Sequence, residues 1–468
     1  MKILPAAALS AFVMLTVLIA CRKNQFITSP DAGLSLSADT LHYDTVFTSA
    51  GSVTQSFKIL NPNNQALRIR SVRLMGGTAS AYRINADGMP GPEADNLELA
   101  AGDSLYVFVQ VRIDPTTANQ PFVIRDSIQV SFNGNTRVVQ LEAWGQNAHY
   151  LRNHVVSTDE NWTNDLPYVV LGSLTVQAGS TLHIGPGCRI YLHADAPLLV
   201  DGSLRVSGGK DSADRVYFRG DRLDDPYRDY PAAWPGIYFR SASQQNRLDY
   251  AVIRNAYQAL ALQEPATPTT PVLELNQCLI DNAYDAGIIA LHSSIRATNC
   301  LISNCGKNLV LAKGGDYSFV HCTVASYSNN FFLHKDPVLF LSNYVSVGGQ
   351  AQAADLQAVF RNCIFWGDDG TVDDEVVTAR DGSAAFQAIL DHALLKVKTP
   401  SSDLTTNQVL QNLPPQFDSI NASRNYYNFR LKPGSPALDA GVDAGVTLDL
   451  DGNPRPVGLP DLGCYEHP

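Results

Sequence analysis

The segment NQCLIDN at positions 276–282 decides the fold, because the chain repeats it as TNCLISN at 298–304 and, more loosely, as VHCTV at 320–324. One position of this repeat, taken at steps of 22 residues, is occupied by Cys278, Cys300, Cys322 and Tyr344. A repeat this short cannot bury its own apolar face, so each copy must stack on its neighbours. The spacing therefore predicts a solenoid.

Three further sets of apolar positions keep the same step. They are Leu273, Ile295, Tyr317 and Leu339; Leu275, Ala297, Phe319 and Leu341; and Ile289, Leu311 and Leu333. Apolar residues two apart, in pairs separated by polar or glycine-containing corners, are typical of short strands with one face turned inward. Leucine-rich repeats have a similar length but place several leucines at fixed offsets, and that pattern is missing. The sequence predicts an all-β chain dominated by a right-handed parallel β-helix, a solenoid like that of pectate lyases.

Asparagines and cysteines recur at fixed places in this repeat. In a parallel β-helix, equivalent side chains lie roughly 4.8 Å apart on successive turns. The amides of Asn255, Asn282 and Asn304 can then bond along a corner and tolerate its left-handed backbone. The cysteines indicate either metal or redox chemistry or small thiols filling a narrow core. We favour the core, because the four-ligand grouping of a zinc site is absent and free cysteine buries readily.

The composition is that of a globular, turn-rich protein with two or three domains. Its 468 residues are 45% hydrophobic and 17% charged, with 33 Gly and 26 Pro. The net charge of −11, from 45 acids against 34 bases, argues against a nucleic-acid partner, which would require a basic face.

Residues 1–20 have the features of a signal peptide. Lys2 precedes an apolar run, and Leu18-Ile19-Ala20-Cys21 matches the bacterial lipobox. The resemblance to lipoproteins implies cleavage before Cys21 and lipidation of its sulfur, which would anchor the chain in a membrane. The alternative is an ordinary secretory peptide with a chance cysteine. Residues 21–33 are predicted to form a polar tether.

Residues 34–148 predict an immunoglobulin-like β-sandwich. Apolar residues alternate over 105–113, and Asn133-Gly134 between two apolar runs is a strong hairpin signal. Several strands at this spacing fit a sandwich. We expect this domain to act as a spacer or docking module.

Residues 149–420 are assigned to the β-helix and residues 421–468 to a C-terminal cap. Leu182 and Leu204, in earlier apolar pairs, keep the 22-residue step. The segment 386–396 has a period that allows a helix, but its position inside the stack favours a strand.

An insertion after Gly220 concentrates acidic and aromatic residues. Aromatic faces stack on sugar rings, and clustered carboxylates coordinate hard cations such as Ca²⁺. The candidate ligand-binding residues are Asp221, Asp224, Asp225, Tyr227, Tyr230 and Trp234. The alternative is a surface loop in which Trp234 seals a corner of the solenoid.

The tail contains the sequence Asp449-Leu450-Asp451-Gly452-Asn453, which is similar to the start of a calcium loop. Asp449, Asp451 and Asn453 are therefore candidate Ca²⁺ ligands. The distal Glu of an EF-hand loop is not in place. The alternative is a turn held by the Asp side chains, and no other cofactor is implied.

Taken together, these segments resemble Bacteroidota exported lipoproteins that have an N-terminal immunoglobulin-like domain and a right-handed parallel β-helix. Besides the lipobox, the resemblance is carried by Ala143-Trp144-Gly145-Gln146, Trp162-Thr163-Asn164-Asp165, Gly434-Ser435-Pro436-Ala437 and Pro460-Asp461-Leu462-Gly463. It departs at Cys464, where the family usually has Ala. The resemblance implies an outer-membrane lipoprotein, with the membrane face open, and it implies no established reaction.

Two functions remain open. The first is a non-catalytic envelope lipoprotein whose rod displays loops to a glycan or another envelope protein. The second is a polysaccharide-cleaving enzyme, a lyase or glycoside hydrolase, because such enzymes share the architecture. Outward charged residues such as Asp281, Asp285 and Lys307 do not form one column, so we assign no catalytic residue and favour the first function.

Overall fold

A computed structural model describes residues 26–47, 52–113, 122–265, 271–455 and 458–467. These residues are all-β apart from three short 3₁₀ turns. The chain divides into two compact units, Met1–Asn147 and Ala148–Pro468. Cys21 and the predicted signal peptide lie outside the described residues. No helix among the described residues is both long and apolar enough to cross a bilayer.

The first unit contains two sheets that share one core. Its strands are β1 (Phe26–Ile27), β2 (Ser35–Leu36), β3 (Thr40–Phe47), β4 (Gln55–Leu60), β5 (Ala66–Leu74), β6 (Tyr82–Ala86), β7 (Met89–Pro90), β8 (Glu93–Leu99), β9 (Ser104–Val111), β10 (Phe122–Phe132) and β11 (Asn135–Gln146). One sheet has the order β1-β5-β10-β11-β3 with β8 beside β5, and the other has the order β2-β4-β9-β6-β7. Alternate side chains of both sheets, such as Val107 and Ile128, are buried in the common core.

Two predictions about the first unit have clear outcomes. Asn133 and Gly134 join β10 to β11 with φ angles of 44° and 83°, which confirms the hairpin. The prediction of a polar tether is wrong for residues 26–33. Phe26 and Ile27 pair with β5, and Ala32 is buried in the core.

The second unit is built on one parallel sheet of 23 strands. Its strands, which include two antiparallel hairpins outside that sheet, are β12 (His149–Val156), β13 (Glu160–Trp162), β14 (Tyr168–Val176), β15 (Thr181–Ile184), β16 (Arg189–Leu192), β17 (Leu198–Val200), β18 (Ser203–Ser207), β19 (Val216–Gly220), β20 (Trp234–Phe239), β21 (Asn246–Asp249), β22 (Ala251–Arg254), β23 (Ala256–Leu262), β24 (Leu273–Asn276), β25 (Leu279–Asp281), β26 (Ala286–Thr298), β27 (Leu301–Ser303), β28 (Lys307–Val320), β29 (Thr323–Tyr327), β30 (Leu339–Ser342), β31 (Tyr344–Val347), β32 (Gln350–Ala353), β33 (Leu356–Asp368), β34 (Val376–Ala379), β35 (Phe386–Leu395), β36 (Leu404–Gln411), β37 (Phe417–Asn421) and β38 (Tyr426–Leu431).

Strand pairing in this sheet repeats every three strands. β16 pairs with β19, β17 with β20 and β18 with β21, and each partner then pairs three strands further on. The chain therefore coils, and successive turns contribute to three parallel ladders around one apolar core. We call the ladder of β16, β19, β22, β25, β27 and β29, continued by the second halves of β33, β35 and β36, the first ladder. The arrangement is consistent with a β-helix or solenoid.

The predicted stacking of the cysteines is confirmed. β25, β27 and β29 pair in register, and each directly follows one of Cys278, Cys300 and Cys322, which are buried free thiols. Tyr344 does not continue this position. It begins an antiparallel hairpin of β31 and β32, and Cys363 takes its place before the next strand of the ladder.

The longer connection between β29 and β30, which precedes this hairpin, shifts the apolar columns. Leu339 and Leu341 pair with Leu309 and Leu311, so they lie on a different ladder from the one predicted. Leu333 is 53% exposed and does not belong to the core. The segment 386–396 contains β35, which confirms the preference for a strand.

The C-terminal segment lies along the side of the solenoid, and the prediction of a cap is wrong. The parallel sheet ends with β36, and β37, which spans the predicted boundary at residue 420, pairs with β38. The chain then runs back past earlier turns. Val442 O accepts a bond of 2.7 Å from Asn362, Leu448 O one of 2.6 Å from Asn299, and Leu450 O one of 2.7 Å from Arg215.

Apolar residues on the outer face of the first ladder explain this position. Outward-facing Leu301, Ile364 and Leu394 are buried against tail residues such as Phe429 and Leu462. If that face were exposed to water, the free energy of folding would be less favourable by about 25 cal/mol for each Å² of apolar surface. The tail covers it.

Candidate functional site

A groove of about 660 Å³ lies between the first ladder and the tail, within the second unit. We call it the lateral groove. Its floor is the outer face of β19, β22, β25 and β27, and the turn between β37 and β38 forms part of its wall. The volume lies in the range of about 300–1,000 Å³ that is usual for ligand sites.

Polar side chains cross the floor of the groove from strand to strand. Arg254 pairs in register with Asp281, Asp281 pairs with Ser303, and Arg219 stands on the strand before Arg254. Their strand neighbours point into the core, so these residues point outward. Arg254 Nε lies 3.5 Å from Asp281 Oδ2, and Ser303 Oγ donates to Asp281 Oδ1 at 2.8 Å.

The asparagine corner holds the insertion against the groove. Asn255 and Asn282 have φ angles of 63° and 58°, and Asn282 Nδ2 donates to Asn255 Oδ1 at 2.9 Å, which confirms the predicted amide row for these two residues. Asn304 has the predicted left-handed backbone, with a φ angle of 49°, but its Nδ2 donates to Asp281 Oδ1 instead. Asn282 Nδ2 also donates to Asp229 O at 2.8 Å, and Asn255 Nδ2 donates to Arg228 O at 2.7 Å. Asp229 consequently lines the groove.

Aromatic rings stand around the same groove. Tyr426, in the wall, is 55% exposed. Phe331 also lines the groove, and its ring centroid lies 5.5 Å from that of Tyr230. Tyr230 in turn lies 5.4 Å from Tyr227. Exposed aromatic faces beside amide and guanidinium donors form an amphipathic surface that suits a sugar ring.

The wall is held by its own ion pair. Arg430 donates to Asp451 Oδ2 at 2.6 Å, and its guanidinium lies 4.6 Å from the ring centroid of Tyr465. Burial raises the pKa of Tyr465 well above its ordinary value, so this hydroxyl stays neutral.

A buried network fastens the tail to the solenoid. Arg455 Nη1 forms an ion pair with Glu466 Oε2 at 3.0 Å and donates to His321 Nδ1 at 2.6 Å. The same guanidinium donates to the carbonyl oxygens of Asp461 and Gly463, at 3.0 and 3.1 Å. Burial, followed by the positive charge of Arg455, lowers the pKa of His321 to about 3, so the imidazole is neutral.

The three predicted acids do not gather into a site. Each has its own partner: His193 for Asp221 at 2.7 Å, Arg222 for Asp224 at 2.8 Å, and Arg228 for Asp225 at 2.9 Å. An aspartate that was not singled out, Asp229, is the acid of this insertion that lines the groove.

Of the three predicted aromatic residues, the structure excludes one. Trp234 is 1% exposed, and its Nε1 donates to Arg254 O at 2.8 Å. The ring seals a corner of the solenoid, which was the alternative to a ligand-binding role for Trp234. It presents no face for stacking on a ligand. Tyr227 and Tyr230 are exposed, and Tyr230 contacts Phe331 of the groove.

The predicted calcium ligands form a hydrogen-bonded turn. The Asp449 carboxylate accepts backbone N–H groups of Asp451, Asn453 and Glu466 at 2.9, 2.7 and 3.1 Å, and Asp451 is paired with Arg430. Among the described residues, no group of three or more His, Cys, Asp or Glu is placed to hold a metal. This geometry matches the alternative to a calcium site, which is a turn held by Asp side chains.

Comparisons with known proteins add little to this geometry. No family model and no curated protein matches the sequence. A family 123 glycoside hydrolase from Clostridium perfringens is 10% identical over 26% of this chain and 30% of that chain, with a TM-score of 0.19. A PapD-like domain of human CEP192 is 8% identical over 27% and 91%, with a TM-score of 0.18. The Salmonella enterica SafA pilin in complex with the SafB chaperone is 12% identical over 25% and 55%, with a TM-score of 0.17. Likenesses at these TM-scores carry no argument.

Proposed function

We propose that the protein is a non-catalytic envelope lipoprotein that binds a glycan in the lateral groove. The observation that carries the proposal is the lining of that groove. An exposed tyrosine ring, Tyr426, stands in a cavity of sugar-binding size together with the exposed polar residues Arg424 and Asn425. Such a surface offers both an apolar face and fixed polar groups to a pyranose ring.

The proposal also covers the fold of the two units and the cellular location of the protein. The second unit is a right-handed parallel β-helix, the first is an immunoglobulin-like sandwich that serves as a spacer, and the chain belongs with the Bacteroidota exported lipoproteins. Its partner membrane is the outer membrane, reached through lipid on Cys21. The lipobox and the repeat support these assignments. Fractionation of the C21S variant tests the anchor, which is rejected if that variant stays with the membranes.

A glycan array with the chain from Arg22 onward tests the binding function. Tyr426→Ala is expected to weaken the binding of any glycan found about tenfold, or about 1.4 kcal/mol, because the stacking face is removed. Tyr106→Ala, which removes a ring that is 43% exposed in the first unit, is the control and should leave binding unchanged. Equal losses in the two variants, or no bound glycan at all, would reject the proposal.

Incubating the protein with the glycan that it binds distinguishes a binding protein from a polysaccharide-cleaving enzyme. A binding protein returns the glycan at its original length. Shortened products that disappear with Asp281→Asn would establish the polysaccharide-cleaving alternative, because Asp281 is a carboxylate on the floor of the groove.

A further inference from the structure

The charge of the lateral groove is opposite to that of the protein. The chain has a net charge of −11. The groove is nevertheless lined by five arginines, Arg215, Arg219, Arg254, Arg424 and Arg430, against three aspartates, Asp229, Asp281 and Asp451. A concave site with an excess of one sign concentrates ligands of the other sign.

Two of these arginines are already paired with carboxylates. Arg254 lies against Asp281, and Arg430 against Asp451. The Arg430 pair is a hydrogen bond of 2.6 Å, whereas Arg254 Nε lies 3.5 Å from Asp281 Oδ2.

The other three arginines make no ion pair with any described residue. Arg215 donates to Leu450 O at 2.7 Å and Arg219 to Arg228 O at 3.1 Å, and both acceptors are neutral carbonyls. The Arg424 guanidinium has no hydrogen bond or ion pair among the described residues. Three guanidinium groups at one site therefore make no ion pair with a described residue, and of these Arg219 interacts at longer range with the Asp229 carboxylate.

Arg219 is the most constrained of them. Burial is the main cause that lowers its pKa. The charges of Tyr191 and Asp229 raise this pKa, and the positive charges of Arg254 and Arg228 lower it again. An anion bound beside Arg219 would relieve this repulsion. Arg219 and Arg254 stand on adjacent strands, which lie roughly 4.8 Å apart, so their positive charges repel each other.

We propose that the lateral groove selects an acidic polysaccharide strand, whose ring carboxylates or sulfates pair with Arg215, Arg219 and Arg424. This inference rests on the proposed glycan-binding function and names its ligand class. Exposed rings beside the arginines favour a sugar chain over a small anion, which would contact no aromatic face. They also favour it over an acidic peptide, because the face of a sugar ring can stack on an exposed aromatic ring such as that of Tyr426.

The first test compares two forms of one sugar chain by calorimetric titration of the chain from Arg22 onward. Oligogalacturonate carries a carboxylate on every ring, and its methyl ester has the same rings without charge. We expect the acid to bind at least about tenfold more tightly than the ester, because guanidinium–carboxylate bonds are lost in the ester. Its affinity should fall as salt is added. A carrageenan oligosaccharide, which carries sulfates and no carboxylate, tests sulfate as the source of the charge.

The second test uses matched arginine variants. Arg219→Gln and Arg424→Gln are each expected to weaken binding of the acidic oligosaccharide about tenfold and to leave binding of the ester unchanged. Arg380→Gln makes the same change of charge at an arginine of the same unit that does not line the groove. It should leave both affinities unchanged.

The outcomes separate this inference from the function on which it rests. Equal affinity for the acid and the ester would overturn the acidic-ligand inference and leave glycan binding standing. A polyglutamate peptide that binds as tightly as the oligosaccharides would overturn the assignment to a sugar chain. Failure to bind any of the glycans would overturn both, and variants must first match the parent protein in circular dichroism.

Discussion

Replacing Arg455 with methionine is expected to lower the free energy of unfolding by about 3–5 kcal/mol, because it leaves a buried charge without its partner. Glu466 would lose the guanidinium that lies 3.0 Å from its carboxylate. The carbonyl groups of Asp461 and Gly463 and His321 Nδ1 would also lose their donor. Denaturant unfolding of the full chain, followed by tryptophan fluorescence, measures the loss.

Two further variants identify the cause of that loss. Adding Glu466→Gln to Arg455→Met removes the orphaned carboxylate and should recover part of the stability. Arg296→Met breaks an ion pair whose two side chains are 40% and 38% exposed, so it should cost less than about 1 kcal/mol. A cost of that small size for Arg455→Met as well would contradict the proposed fastening of the tail.

The stability of the tail is connected to the groove. The hairpin of β37 and β38 supplies Tyr426 and Arg430, and the later turn supplies Asp451, all of which line the cavity. The same tail is held on the solenoid by Arg455. A loosened tail would therefore widen or remove one wall, and the Arg455→Met variant should lose glycan affinity even though Arg455 does not line the groove.

The solenoid core was predictable because its chemistry repeats at a fixed step. An inward position meets the same environment on every turn, so Cys278, Cys300 and Cys322 recur 22 residues apart and stack as expected. The prediction failed where insertions changed the step. Tyr344 has the right spacing, but a hairpin inserted there moves the equivalent position to Cys363.

The position of the tail and the lateral groove could not be read from that periodicity. The groove joins residues of four strands to a hairpin far along the chain, and no local pattern encodes such a meeting. One signal was nevertheless present. Leu301, Ile364 and Leu394 are apolar at outward positions, where a solvent-facing strand would carry polar residues. These apolar side chains require another segment of the chain to cover them and exclude water.

The insertion after Gly220 shows the limit of judging a site by composition. Its acids and rings suggested one cluster, but each of the three predicted acids has its own basic partner, and Trp234 is needed in the core. Burial of a tryptophan stabilises the fold by removing a large apolar surface from water. That stabilisation outweighs what the ring would contribute as an exposed binding surface. Of the two predicted rings that remain exposed, Tyr227 and Tyr230, the second contacts Phe331 of the groove.

Acidification is expected to destabilise the protein through His321. In the fold, burial and the charge of Arg455 lower the pKa of this imidazole from 6.5 to about 3. Below pH 6.5 the unfolded chain binds a proton that the folded chain does not, so its contribution is complete above pH 6.5 and is lost as the pH falls towards 3. The loss is about 1.4 kcal/mol for each pH unit. Protonation would also break the bond that Nδ1 accepts from Arg455 and place two cations in contact.

Unfolding free energies of the parent and His321→Gln, measured between pH 7 and pH 4, isolate this effect. A glutamine oxygen can accept the Arg455 bond but does not titrate, so the variant should lose about 3 kcal/mol less than the parent over that range. His193→Gln removes a partly exposed histidine paired with Asp221 and should keep the slope of the parent. Parallel curves for the parent and His321→Gln would mean that the imidazole titrates normally, and that the tail does not shield it from water in the folded protein.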